Sequence, residues 1–213
     1  NEAHGRGLQV PNRIKRDRES ATAAGAYVAF PKKGLHKWIG SMDLNSLYPN
    51  IIVQSNISPE TLVKDKSFGQ YPQGVDHYFT AGETASNEYS ICASGVPFSK
   101  NKQGIIPELI VEYYAERSVI KQKMLKVKQE YEQTKNVALE SEINQLENNQ
   151  MSIKILLNSL YGAMANKYFK YFDNALAESV TLTGQLSIKW AERAINIEMN
   201  KILKTKGKDY VIA

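Results

Sequence analysis

The sequence predicts an α+β fold, in which a small antiparallel sheet with packed helices carries a protruding pair of long antiparallel helices. Short apolar runs broken by glycine and proline occupy residues 25–59. Helical periodicity follows over residues 107–160 and again over residues 174–204. The chain has 213 residues, 42% of them hydrophobic, which is enough for one sizeable core or two small ones and excludes a disordered tail.

The first part of the chain is basic. Residues 1–40 contain eight Lys or Arg and three Asp or Glu, so they hold the whole net charge of +5. Such a stretch suits a phosphate backbone, although an ordinary solvated linker has the same composition. The single cysteine, Cys92, excludes an internal disulfide and suits a structural role. Because no apolar run is long enough to span a bilayer, we expect no membrane association.

The elements follow in order along the chain. Residues 26–30 and 38–39 suit sheet strands, and residues 47–53 suit a short helix. Residues 64–104 are rich in Gly and Pro, which predicts a long irregular connection with a small hairpin. Pro107 suits the first position of the following helix.

The second half of the chain is predominantly helical. A charged stretch with few apolar residues, around residues 129–136, predicts the tip between two antiparallel helices. The second helix starts near Val137, and a third ends before Gly207. Residues 209–213 predict a strand that has only begun.

The most informative stretch begins at Asp43, which follows an apolar run. It is followed by small and polar residues and then by Tyr48 and Pro49. The Asp43 carboxylate, a hard oxygen ligand, is therefore expected beside exposed backbone amides. That arrangement suits a divalent metal with a phosphate-bearing substrate, although an Asp at a strand end also serves as a turn or helix cap. Residues 43–52 resemble the first catalytic motif of family B DNA polymerases, D-x-x-S-L-Y-P-x-I-I, at all seven fixed positions.

A second constellation lies on the second long helix. Lys154, Asn158 and Tyr161 are spaced i, i+4, i+7, so they line one helical face. A solvated lysine and a core tyrosine would show the same spacing. Residues 154–162 also resemble the second motif of that family, K-x-x-x-N-S-x-Y-G, without a mismatch.

Two weaker matches accompany these motifs. Arg117 and Lys121 are spaced i, i+4, where two cations repel unless an anion lies between them, although scattered surface charges are an alternative. This segment is similar to the leading fingers helix of the family, whose Arg and Lys bind the triphosphate. Gly25-Ala-Tyr27-Val is similar to the short element by which family members grip the template.

The resemblance implies a division of the chain. Residues 25–104 would be the first part of a polymerase palm, and residues 105–165 a two-helix antiparallel fingers hairpin. Residues 166–213 would be the palm's return helix and the start of the strand that leads to the third motif. Residues 1–24 would be a basic connecting segment.

The resemblance also implies an activity, which is template-directed addition of deoxynucleotides to a primer 3′-hydroxyl by two-metal-ion transfer with two Mg²⁺ ions. Asp43 would be a catalytic metal ligand, helped by the carbonyl of Leu44. The nucleotide-binding residues would be Ser46, Leu47, Tyr48, Arg117, Lys121, Lys154 and Asn158. The nascent base pair and DNA would be contacted by Tyr161, Gly162, Gly25 and Tyr27.

The third motif of the family, Asp-Thr-Asp, does not occur in the sequence. We therefore expect a fragment that is inactive alone because the second catalytic Asp is absent. The alternatives are a naturally split subunit that acts only with a partner chain, and a purely structural helical hairpin. The expected partners are primer-template DNA, dNTP, and a sliding clamp and replisome proteins through other regions. The form of the first motif resembles the T4-like bacteriophage branch, which implies the cytoplasm of a bacterial host.

Overall fold

The computed structural model describes residues 25–63, 71, 74–82 and 86–211, so the basic segment expected at residues 1–24 lies outside it. The described residues form five α-helices and one two-stranded antiparallel sheet, which confirms the α+β class. The helices are α1 (Leu47–Gln54), α2 (Val75–Ala81), α3 (Ile105–Thr134), α4 (Ala138–Met164) and α5 (Asn174–Ile202), and the strands are β1 (Tyr89–Ile91) and β2 (Pro97–Ser99). No helix in these segments combines the length and apolar character that a bilayer span requires.

The sheet is the small hairpin predicted within residues 64–104, and the other residues where strands were predicted, 26–30 and 38–39, do not belong to it. Tyr89 pairs with Ser99, and Ile91 with Pro97. The predicted strands at residues 26–30 and 38–39 are wrong, since residues 25–44 contain no strand and the side chain of Phe30 is 98% exposed. A strand needs a neighbour for its ladder of hydrogen bonds, and no described residue supplies one along this segment. Asp43 therefore follows a segment without regular secondary structure and not a strand.

The two long helices form the predicted antiparallel hairpin. α3 begins at Ile105, two residues before the expected start, and Pro107 lies in its first turn, where an N–H has no helical acceptor anyway. Lys135, with φ 50°, turns the chain between the helices. Near the tip, the Tyr131 hydroxyl donates to Glu140 at 2.5 Å, and Lys128 pairs with Glu147 at 3.1 Å.

The main core lies where α1, β2, α5 and the bases of α3 and α4 meet. Its fully buried members include Ile52, Phe98, Ile110, Leu157 and Val180, each at most 3% exposed. Burying apolar side chains from all these elements together stabilises the base of the hairpin against α1 and α5. Apolar residues of both sequence motifs, such as Ile52 and Leu157, therefore belong to this core.

The last helix agrees with its prediction. The Asp173 carboxylate caps α5 by accepting from the Ala175 N–H at 2.9 Å. After α5, Tyr210 returns to the helix, where its N–H donates to Asn196 at 2.7 Å. Tyr210 and Val211 are not in a strand, and the rest of the predicted strand, residues 212–213, lies outside the described residues.

Candidate functional site

An exposed turn carries Asp43 and leads directly into α1. Asp43 and Leu44 are both exposed. Ser46 adopts the left-handed region, with φ 51° and ψ 49°, which is uncommon for a residue other than glycine and turns the chain directly before α1. Asn50 closes this turn, since its Nδ2 donates to the Asn45 carbonyl at 2.8 Å. The Asp43 carboxylate is thus open to solvent beside the start of a helix.

The first turn of α1 also presents backbone donors. The N–H groups of Leu47 and Tyr48 have no acceptor inside the helix, and the Ser46 side chain does not cap them. Pro49, next along the helix, has no N–H to satisfy. Free amides at the positive end of a helix favour an anion. The turn therefore sets a carboxylate and anion-binding amides side by side.

Tyr48 brings the first motif against the second. Its ring centroid lies 4.7 Å from that of Tyr161 on α4, with the planes tilted by 53°. On α5, Gly184 comes so close that a Cβ there would lie 2.9 Å from Cε1 of Tyr48. Thr181, one turn earlier on α5, hydrogen-bonds the Tyr161 side chain. Three helices therefore hold the two phenol rings in place.

Both phenols remain neutral at physiological pH. Burial raises the pKa of Tyr48 above its ordinary value. Burial also raises the pKa of Tyr161, and the neighbouring Tyr48 adds to this effect, while the hydrogen bond with Thr181 opposes it. The two rings are therefore an uncharged surface between the motifs.

The register of the hairpin sets Arg117 opposite Lys154. Tyr131 bonds Glu140 across the two helices near the tip. Fourteen residues back from Tyr131 lead to Arg117, and fourteen residues on from Glu140 lead to Lys154. Fourteen residues are about four helical turns, so both steps return to nearly the same face. The two cations therefore lie at one level of the hairpin, with Lys121 one turn nearer the tip.

The remaining predicted site residues are of two kinds. Those on α4 are exposed, and those at residues 25–27 lie against α5. Asn158 and Gly162 are exposed, and nothing lies within 4 Å of where a Gly162 Cβ would be. Gly25 is held by α5, because Gln185 Nε2 donates to its carbonyl at 2.6 Å. The Lys189 ammonium lies 5.8 Å from the Tyr27 ring centroid.

The described residues do not by themselves provide a complete set of ligands for a metal ion. No three His, Cys, Asp or Glu side chains in residues 25–63, 71, 74–82 and 86–211 lie close enough together to hold an ion. The Asp43 carboxylate and the Leu44 carbonyl are oxygen donors of the kind that Mg²⁺ prefers, which fits the expected ion. Octahedral coordination needs more ligands than these two, and Mg²⁺ ordinarily obtains the others from water, substrate phosphates or a second carboxylate.

Comparison with known proteins decides the family. The model of DNA polymerase family B matches residues 1–210. The chain belongs to this family. It is 33% identical to the DNA-directed DNA polymerase of Enterobacteria phage T4 over 89% of the chain, and 29% identical to that of Escherichia phage RB69 over 88%. DNA polymerase 2 of Aeropyrum pernix is 31% identical over 88%.

Family B membership confirms the resemblance that the two motifs carry, and the phage relatives agree with the expected T4-like branch. The chain spans about a quarter of the length of these two phage polymerases and a fifth of the archaeal one. The match therefore identifies the region around the two motifs and not a whole family B enzyme.

Sequence reasoning missed Gln150 in this family B chain. Gln150 is 8% exposed, and its Oε1 has no hydrogen-bond partner in the described structure. Nε of Arg117 is likewise buried without a partner there. The register that aligns Arg117 with Lys154 sets Gln150 opposite Lys121. Since buried polar atoms are normally paired, the Nε–H of Arg117 is a candidate to donate to a ligand, and Oε1 of Gln150 is a candidate to accept from one. The available signal was the spacing, because Gln150 is four residues before Lys154 on the same helical face.

Proposed function

We propose that this chain is the nucleotide-binding part of a template-directed DNA polymerase, which adds deoxynucleotides to a primer 3′-hydroxyl. The contact between Tyr48 and Tyr161 supports the proposal best, because it joins the two motifs in one surface. Residues 25–104 and 166–213 then belong to the palm and residues 105–165 to the fingers, and residues 1–24 are a basic connecting segment.

The chemistry is attack of the primer 3′-oxygen on the α-phosphate of a dNTP, with pyrophosphate leaving in line. Two Mg²⁺ ions, when bound, neutralise the charge on the attacking and leaving oxygens. Asp43 and the Leu44 carbonyl would be ligands for them. The backbone amides of Ser46 and Leu47 donate to the β- and γ-phosphates, a role that suits the free donors at the start of α1.

The hairpin supplies the counter-charge for the triphosphate. Arg117, Lys121 and Lys154 repel one another until an anion lies between them, so the dNTP stabilises their approach. The side-chain amide of Asn158 donates to phosphate oxygens on the same face of α4. The buried and unpaired Nε of Arg117 supports this role, because a phosphate oxygen would satisfy it.

The aromatic surface formed by Tyr48 and Tyr161 selects the nucleotide by the shape of its sugar and of the nascent base pair. Tyr48 lies under the deoxyribose, where its ring leaves no room for a 2′-hydroxyl, and Tyr161 and Gly162 face the minor groove of the nascent pair. The open space beside Gly162 allows such an approach. Gly25 and Tyr27 contact the template strand from their position along α5.

Titration of this chain with dNTP and Mg²⁺, followed by calorimetry, tests the proposal. Arg117→Ala and Lys154→Ala should each weaken binding by about tenfold or more, because a charge-assisted bond is lost. Lys126→Ala removes an equal charge from an exposed position on α3 and should have a small effect. Equal losses in all three variants, or binding that ignores Arg117 and Lys154, would contradict the proposal.

Primer extension gives a second test. The 213-residue chain alone should not extend a primer, because Asp43 cannot hold two ions by itself. In a polypeptide that contains the whole site, Asp43→Ala should abolish extension, and normal turnover by that variant would refute the metal-binding role. Primer-template DNA and dNTP are the partners of this reaction. A sliding clamp and replisome proteins would bind other regions, in the cytoplasm of a bacterial host.

A further inference from the structure

The loop after α1 is tied to the base of the fingers hairpin by the side chain of Asn56. Its Nδ2 donates to the carbonyls of Ser99, at 2.6 Å, and Lys102, at 2.9 Å. Its Oδ1 accepts from the Gly104 N–H at 2.8 Å. Asn56 has φ 55°, in the left-handed region that asparagine tolerates better than most residues. One amide thus holds the whole segment that runs from β2 into α3.

Glu60, on the same loop, caps α3 from outside the helix. Its Oε1 accepts from the N–H of Ile105, the first residue of α3, at 2.5 Å. Its Oε2 accepts from the Ser58 hydroxyl at 2.7 Å, which fixes the carboxylate. Gly104, directly before α3, has no side chain to provide a cap. A carboxylate here satisfies an N–H without a helical acceptor and complements the positive end of the helix.

The loop and the helix base also touch directly. A Cβ added at Gly104 would lie 2.6 Å from the Cβ of Ser58, so no side chain fits between them. Ser58 itself is fully buried. The start of α3 is therefore held by polar bonds and by close packing at one point, while the tip of the hairpin is far from it.

We infer that Asn56 and Glu60 are positioning residues, which set the angle of the fingers hairpin and thereby the place of Arg117 in the nucleotide site. This inference rests on the proposed function. Arg117 is twelve residues beyond Ile105, about 18 Å along the helix. A rotation of about 10° at the base would move Arg117 by about 3 Å, which is the length of a hydrogen bond.

The loop also links the two halves of the site. α1 begins at the phosphate-binding turn and ends at Gln54, two residues before Asn56. A phosphate held at the start of α1 and a guanidinium held by α3 are therefore connected through one short helix and one clamped loop. The clamp keeps the two groups in register with each other.

Hydrogen exchange of the present chain tests the clamp without nucleotide. Glu60→Ala should speed exchange of the Ile105 amide by about five- to tenfold, because the charged acceptor is lost. Asn56→Gly keeps the backbone conformation and deletes the side-chain amide of Asn56. It should speed exchange of the Gly104 backbone amide by a similar factor. Glu112→Gln, an exposed change on α3, is the control. Unchanged exchange in both loop variants would overturn the inference.

Distances across the fold test the positioning role. Spin labels at Gln129→Cys, near the hairpin tip, and Lys201→Cys, on α5, report the hairpin angle, while buried Cys92 stays unlabelled. Glu60→Gln should broaden the distance distribution, and Glu112→Gln should not. A distribution that stays as narrow as in the unmodified chain would show that Glu60 only caps a helix and would overturn the inference.

A double-mutant cycle on dNTP affinity completes the test. If Glu60 acts through Arg117, then Glu60→Gln should weaken binding severalfold in the unmodified chain and have little further effect in Arg117→Ala. Additive losses would overturn the inference. If the unmodified chain does not bind dNTP, the proposed function fails, while exchange and distances still decide whether the clamp exists.

Discussion

The phenol ring of Tyr48 is held between Tyr161, 4.7 Å away from centroid to centroid, and Gly184, whose missing Cβ leaves room for its edge. α1, α4 and α5 each contribute one of these residues. Because Tyr161 and Gly184 both contact the Tyr48 ring, the ring is fixed from two sides, and substitutions of Tyr48 and of Gly184 each have a measurable effect.

The ring of Tyr48 should exclude ribonucleotides. Tyr48→Ala should lower the preference of the chain for dATP over ATP by about tenfold or more, because a cavity then accepts the 2′-hydroxyl. The measurement is competitive binding of the two nucleotides. Tyr48→Phe is the matched control, since it keeps the ring and should keep the preference. An unchanged preference in Tyr48→Ala would refute the role of Tyr48.

The same substitution at two helical glycines should have opposite effects on stability. Gly184→Ala should lower the free energy of unfolding by about 1–3 kcal/mol, because its Cβ would lie 2.9 Å from Tyr48. Gly162→Ala meets nothing within 4 Å, so it should raise the free energy by about 0.5–1 kcal/mol through helix propensity. Urea unfolding measures both. Similar effects at the two sites would show that Gly184 is not tightly packed.

Cys92 should make stability fall at alkaline pH. Burial raises the pKa of its thiol from 9.0 to about 11, against weaker opposition from hydrogen bonds with Thr183, Ser55 and Ser179. The folded state keeps the proton to a higher pH than the unfolded state, so this stabilisation is complete below pH 9 and is lost as the pH rises toward 11. Between pH 8 and pH 10 the free energy of unfolding should fall by about 1 kcal/mol.

The control for this titration is Cys92→Ser, which lacks the thiol but keeps a buried polar atom. Subtracting its pH dependence removes the contribution of the tyrosines, which titrate in the same range. Identical pH profiles for the two proteins would contradict a buried, protonated thiol.

Lys189 should support DNA binding through Tyr27. Its ammonium pairs with Asp76 at 2.9 Å and lies 5.8 Å from the Tyr27 ring centroid. Lys189→Met keeps the side-chain length and should weaken binding of a labelled primer-template by about threefold, measured by fluorescence anisotropy. Lys201→Met removes the same charge from an exposed position on α5. An equal loss in both variants would mean that only net charge matters.

Periodicity predicted the helical part of this fold well. The hairpin helices, α5 and the short α1 were all expected within a few residues of their bounds, because each has a local apolar pattern that a helix buries on one face. The strands predicted at residues 26–30 and 38–39 do not form, since a strand depends on a partner that local sequence does not reveal. α2 was missed for a similar reason, because Phe79 on it packs against the Lys189 and Arg193 cations of α5.

The sequence by itself determined the family and the identity of the candidate site residues, since Asp43, Tyr48, Lys154 and Tyr161 stand in two motifs of fixed spacing. Only the tertiary structure decided which residues support them. Gly184 lies against Tyr48, and the carboxylate of Glu60 caps a helix that begins 45 residues later. Such contacts join positions far apart in the chain, and the physical reason they escape prediction is that packing and hydrogen bonding depend on distance in space, whereas a pattern reports only neighbours in sequence.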